Sequence, residues 1–248
     1  MKVIKDIFET NEIFENSYTA IGTFDGLHYG HQQLIKGAIE KAKANGGKSV
    51  VFTFANHPME IINIDRAPKC INTIEEKIYL FEEMGIDYLI LQPFNKKFAD
   101  LTAVEFVEIL KNKVNSKELF VGFNFSFGEG GKAKTKDLIK LGESMGMKVN
   151  EIPAVSIDGE VISSTLIRKN LQKGHFEEVN KYLGHKFLII GEVIHGKKIA
   201  RQLGFPTANI KMANRLYPPL GIYGATLKIE GENIKRYGVV NIGVNPTL

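Results

Sequence analysis

Gly22-Thr23-Phe24-Asp25-Gly26-Leu27-His28-Tyr29-Gly30-His31 is the stretch on which the reading of the chain turns. Before it, residues 18–24 are rich in β-formers. After it, Leu34, Ile35, Ala38, Ile39 and Ala42 recur at helical spacing. The decapeptide is therefore expected as the turn between a strand and a helix. Glycines there let a ligand approach the backbone, and the helix aims its unpaired N–H groups and positive dipole end at the same point. With the first helical turn starting near Tyr29, His28 and His31 reach one small volume, where imidazoles donate to phosphate oxygens. Two plainer readings stand beside this one: half of a metal site, though the chain has no HExxH, and glycines that only make a turn.

Outward from this point, Gly46 and Gly47 stop the helix, and residues 49–54 read as a buried strand that completes a β-α-β unit. Asn56, His57 and Pro58 follow at its carboxyl end, where open α/β sheets place ligands. Thr73 with Glu76, and Thr102 with Glu105, are capping boxes. Each opens a helix that leads to a strand, at residues 86–91 and 118–122. A further helix near residues 136–144, a strand near 148–155 and a hairpin-type turn at Asp158-Gly159 continue the plan. Such alternation predicts an α/β, doubly wound parallel sheet, because parallel neighbours need crossover helices. Gly46-Gly47-Lys48-Ser49 looks like the tail of a P-loop but runs from helix to strand. Gly128, Gly130 and Ala133, with Glu151, satisfy a dinucleotide pattern late in the sheet, and both matches are set aside.

Two later stretches carry chemistry. In residues 122–128 (GFNFSFG), Phe123, Phe125 and Phe127 alternate around Asn124. They read either as a strand face in the core or as aromatic walls for a planar ring, with the Asn124 amide turned to phosphate. In residues 162–168 (ISSTLIR), Ser163 or Ser164 caps a helix and Arg168 presents its fork one turn on, either to an oxyanion or beside a plain N-cap. Past Gly184, strand-like residues 187–194, 222–229 and 235–242, with Gly231 and Asn233 in a turn, replace the alternation. The expected domains are 1–184 and 185–248.

The 248 residues are 44% hydrophobic and 24% charged with a net charge of +4, and no apolar run approaches 18 residues. This excludes a membrane span and a disordered chain, and it falls short of the dense basic face of a nucleic-acid binder. The N-terminal MKVIKDIFETNE lacks the apolar core of a signal peptide, so the cytoplasm is the expected location. Cys70 is alone, which leaves no intrachain disulfide.

The decapeptide resembles the GxFDGxHxGH signature of the adenylyltransferase module in bacterial bifunctional riboflavin kinase/FAD synthetases, and the HxGH of the wider nucleotidyltransferase superfamily. Residues 162–168 resemble the superfamily's ISSTxxR, and residues 122–128 the family's GxNFxFG loop. Residues 191–209 (GEVIHGKKIARQLGFPTAN) resemble the riboflavin kinase signature GxVxxGxxxGRxLGFPTAN, with Ala200 where the family has glycine.

The resemblance implies an FMN adenylyltransferase that joins FMN to the AMP half of ATP, releases pyrophosphate and uses Mg²⁺, with riboflavin as substrate of the kinase module. It implies that His28 and His31 act at the α-phosphate, Asn124 beside it, and Ser164 and Arg168 on the pyrophosphate. Gly22, Phe24, Asp25, Gly26, Gly30, Ser163 and Thr165 would line the nucleotide, and Phe127 would contact the flavin. Thr207 and Asn209 would bind Mg²⁺ and an ATP phosphate. The chain ends about halfway through the likeness to the kinase module, so a partial antiparallel β-barrel without kinase activity is expected. Two rivals remain: transfer to another phosphorylated acceptor, and a flavin- or nucleotide-binding module without turnover.

Overall fold

Parallel strands and crossover helices make up the first two thirds of the chain, in a computed structural model that describes residues 1–194, 207–232 and 234–243. The order is β1 (Lys2–Ile4), β2 (Ser17–Ile21), α1 (Tyr29–Ala44), β3 (Lys48–Phe54), α2 (Ile74–Glu83), β4 (Tyr88–Gln92), α3 (Ala103–Glu108), β5 (Ser116–Gly122), α4 (Thr135–Ser144), β6 (Lys148–Ile152), α5 (Ser164–Lys173) and α6 (Phe176–Leu183). The six strands pair in the order β1-β4-β3-β2-β5-β6, and every pair is parallel.

Side-chain alternation along each strand feeds two cores, one on each face of the sheet. Ile21, Val50, Phe52, Leu119 and Val121 pack with Phe106, Val107 and Leu138 of α3 and α4. Ala20, Val51 and Phe120 pack with Leu34, Ile35 and Ala38 of α1 and with Leu80 and Phe81 of α2. Both capping boxes form: Thr73 and Glu76 start α2, and Thr102 and Glu105 start α3, which continues into a π-helical turn at Ile109–Lys113. A third core, of Ile71, Ile162, Ile167, Leu171, Val179 and Leu183, joins α5 and α6 to the loop before α2, and Leu216 enters it from the C-terminal stretch.

From β2 the chain steps to β3 and β4 on one side, then returns to β5 and β6 on the other. The turns after β2 and β5 thus open on one crevice at the carboxyl edge of the sheet, the switch point at which open α/β sheets take ligands.

Several expectations are met and several corrected. Asp158 (φ +51°) and Gly159 (φ +82°) make a tight turn between Ser156–Ile157 and Glu160–Val161. The glycines near residue 130 form a single 3₁₀ turn, Glu129–Gly131, and open no long helix. The three-residue edge strand β1 was not foreseen, being too short for a periodic signal.

The strand expected over 187–194 is confined to Val193–Ile194, which pairs with Asn209–Ile210. Its first half has other partners: the Phe187 N–H donates to Asn180 Oδ1, the Ile190 N–H donates to Glu76 Oε1, and the Leu188 carbonyl accepts from Arg215. Side chains of helices and loops therefore satisfy the backbone that a ladder would have used. Beyond it, β7 (Gly221–Lys228) and β8 (Lys235–Ile242) form one antiparallel ribbon. Among the described residues these are two separate two-stranded ribbons with no closed barrel. The Ala200 position, Asn233 and the last residues from 244 onward lie outside the described residues. Among the described residues no helix is long and apolar enough to cross a membrane.

Candidate functional site

After β2 the backbone enters the left-handed region three times, at Phe24 (φ +48°), Gly26 (φ +83°) and Leu27 (φ +42°). Non-glycine residues there are strained, and the strain is held by burying both side chains, Phe24 wholly and Leu27 almost so. A Cβ on Gly26 would stand 3.0 Å from Ile71, so this position takes glycine on two counts.

The turn delivers His28 to the N-cap of α1, where its Nδ1 accepts the His31 N–H at 3.3 Å. The bond fixes the tautomer of the neutral ring: the proton sits on Nε2, which is left free to donate. The His28 and His31 rings stack with centroids 3.5 Å apart, and Phe24 meets His31 edge-on at 5.2 Å. Burial pulls His28 down to about 4 against the opposing pull of Asp25. Burial, with His28 and Lys77 adding to it, holds His31 well below its ordinary value. Both imidazoles are therefore neutral at pH 7, and among the described residues His31 Nδ1 is buried without a hydrogen-bond partner.

Asp25, almost wholly buried, is the hub. Its carboxylate accepts the N–H groups of Ile71 (2.9 Å) and Asn72 (3.3 Å) and the Nη2 of Arg168 (2.5 Å), while its carbonyl accepts Ser164 Oγ at 2.8 Å. The structure thus joins the ISST segment directly to the glycine turn. Ser163, not Ser164, caps α5, accepting from the Leu166 N–H. The Nε of Arg168 donates to the Lys69 carbonyl. Thr165 is exposed and lines, with Arg168, Lys69 and Lys169, a cavity of about 290 Å³. Gly22 and Gly30 border the same turn, each with a Cβ position 3.2 Å from an aromatic or imidazole atom, of Phe24 and His28 respectively.

Asn124 is exposed on the turn after β5, the neighbour of β2. Phe127 is buried, packed against Phe106 and Phe125, as in the core reading of this loop, while the turn closed by the Phe125 N–H on the Gly122 carbonyl interrupts the alternation and leaves Phe123 exposed. Thr207 and Asn209 are exposed, Asn209 in the short ribbon opposite Ile194. No group of three or more metal-ligating His, Cys, Asp or Glu side chains occurs among the described residues.

One residue went unread, and another was read only as part of a loop. Lys77 is buried and donates to the Thr23 carbonyl at 3.0 Å; burial lowers its pKa, and Asp25 opposes that. Its signal was available, since it lies three residues after Ile74 and four before Phe81, on the apolar stripe of α2. His57, half-buried after β3, is lowered by burial within the field of Asp25, Arg168 and Lys77; its place at a strand's carboxyl end was visible, its partners were not.

The FAD synthetase family model matches residues 10–166 and the riboflavin kinase model matches residues 183–248. The chain belongs to the bifunctional riboflavin kinase/FMN adenylyltransferase family. Within this family, the protein of that name from Buchnera aphidicola is 36% identical over all of this chain and 80% of its own length. The Bacillus subtilis protein of the same name is 37% identical over 93% of this chain and 73% of its own length. The crystal structure of a Streptococcus pneumoniae protein described as a macrolide-efflux protein covers 97% of this chain and 78% of that one, with a TM-score of 0.81 and 29% identity.

Proposed function

We propose that this chain transfers the adenylyl group of ATP to the phosphate of FMN, forming FAD and pyrophosphate. The observation that carries the reading is the junction at Asp25, which ties the His28 turn and the Ser164–Arg168 helix into one site at the switch point of the sheet. The FMN phosphate is already a nucleophile at neutral pH, so no side-chain base is required. An FMN phosphate oxygen bonds to the α-phosphorus as the bond to the bridging oxygen breaks, and pyrophosphate leaves with that electron pair. His28 Nε2–H and His31 meet the α-phosphate oxygens, Asn124 lies beside them, and Ser164 and Arg168 hold the departing pyrophosphate. Catalysis is then positioning and electrostatics.

For the rest of the chain we propose domains of 1–184 and 185–248, in keeping with the spans of the two family models and the left-handed cap at Gly184. The second activity in the relatives' name, riboflavin phosphorylation, belongs in this reading to the C-terminal stretch. Thr207 and Asn209 offer a hydroxyl and an amide oxygen, the hard donors that suit Mg²⁺. When bound, the ion neutralises phosphate charge. The reading places the protein in the cytoplasm with small-molecule partners only, as its composition supports.

The test is to mix the purified chain with FMN, ATP and Mg²⁺ and to separate the products by chromatography. FAD and pyrophosphate in equal amounts are expected. Flavin binding without product would favour a binding module, and adenylyl transfer with no flavin affinity another acceptor.

A further inference from the structure

Arg215 lies in the stretch matched by the riboflavin kinase model, yet it is 2% exposed and buried against the other unit. All three of its nitrogens donate. Nη2 donates to the Ile71 carbonyl, Nη1 to Glu76 Oε1 and to the Leu188 carbonyl (3.1 Å), and Nε to the Leu216 carbonyl (3.3 Å). Phe187 and Tyr217 flank the guanidinium, 4.9 and 5.7 Å from their ring centroids. The neighbouring Leu216 N–H donates to the Cys70 carbonyl at 2.8 Å.

The loop held in this way, residues 69–72, is the one whose other edge builds the nucleotide site. Ile71 gives its carbonyl to Arg215 and its N–H to Asp25; Asn72 gives its N–H to Asp25; Lys69 gives its carbonyl to Arg168. Glu76, the partner of Arg215, also receives the Thr73 N–H and so sets the start of α2, whose next residue, Lys77, reaches the Thr23 carbonyl. A continuous set of hydrogen bonds therefore runs from Arg215 through Ile71 to Asp25 and Arg168.

We propose that Arg215 is a positioning residue of the adenylyl-transfer site: through the loop at 69–72 it fixes the Asp25 carboxylate and, with it, the fork of Arg168 that grips the triphosphate. The transferase site is thus completed by a side chain from the stretch matched by the kinase model. This rests on the adenylyl-transfer reading of that site.

The test uses the full chain. Replacing Arg215 alone leaves Glu76 charged and buried, which unfolds structure for reasons unrelated to the site. The informative variant is the double replacement Glu76→Gln with Arg215→Met, which removes both charges together. Thermal melting, ATP binding by calorimetry and the steady-state constants for FAD formation are measured. The expected result is a folded double variant whose Kd and KM for ATP rise about tenfold, with kcat changed less. Should the double variant fail to fold, Arg215→Lys, which keeps a cation beside Glu76 but lacks the fork that spans to Ile71, is expected to show the same rise. ATP constants within twofold of the parent in whichever variant folds would overturn the proposal and leave Arg215 a structural residue. The binding arm keeps the two readings apart: a parent chain that binds ATP but forms no FAD ends the FMN reading, while the ATP Kd of the variant still decides the role of Arg215.

Discussion

Arg168 places its Nη2 2.5 Å from the carboxylate of Asp25, 143 residues earlier in the chain, with both side chains largely withdrawn from solvent. The pair joins the end of the glycine turn to the first turns of α5, and so holds the two walls of the site in one register. A charged pair in this setting is sensitive to loss of one member, because the survivor is left buried and unpaired.

Asp25→Asn keeps the shape and removes the charge. It is expected to lower the stability in urea unfolding by about 3–5 kcal/mol and to raise the ATP KM at least tenfold, on the scale of one broken buried pair. Unchanged ATP affinity in a folded Asp25→Asn chain would remove the pair from the site.

His28→Ala and His31→Ala are each expected to lower kcat by about 10² or more, the effect of removing one preorganised donor. Their stabilities should differ. Only His28 caps α1, so its loss costs about 1 kcal/mol more in the unfolding free energy. Equal turnover in both variants and the parent would exclude the histidines from the chemistry.

The depressed His28 gives a pH signature. Its folded value is about 4 against an ordinary 6.5, so between these limits the unfolded chain binds a proton that the folded chain refuses. The stability tied to the neutral ring is intact above pH 6.5 and is lost as pH falls toward 4. At pH 5 this group alone accounts for a loss of about 2 kcal/mol. Urea unfolding of the parent and of His28→Gln at pH 7 and pH 5 isolates it: the drop in the parent should exceed that in the variant.

Lys77→Met replaces a buried ammonium with an apolar side chain of similar length. The melting midpoint is expected to stay or rise, since desolvation of the charge opposes folding, while FAD formation falls about tenfold as the Thr23 carbonyl loses one of its two donors, keeping only Thr53 Oγ1. A variant as active as the parent would make Lys77 a packing residue.

What the sequence made legible was local. The boxes at Thr73–Glu76 and Thr102–Glu105, the left-handed pair Asp158-Gly159 and the period change after Tyr29 each act within a few residues, and each is seen in the fold. Long-range partners were not legible. Residues 187–190 look like a strand, but their backbone is satisfied by Asn180, Glu76 and Arg215, which no periodicity reveals. Ser164 and Arg168 were picked out as phosphate ligands; that Asp25 would bind both, across more than 130 residues, has no local signature. Phe127 shows the converse, a motif position whose ring packs into the core.

The central claim is that the turns bearing His28, Asn124 and Ser164–Arg168 hold one triphosphate. A crystal structure of the full chain with a non-hydrolysable ATP analogue tests it most directly. The account predicts the α-phosphate within hydrogen-bond reach of His28 Nε2 and the Asn124 amide, with the terminal phosphates on Ser164 and Arg168. An analogue bound only beside Thr207 and Asn209, with the His28 turn left without phosphate, would contradict it.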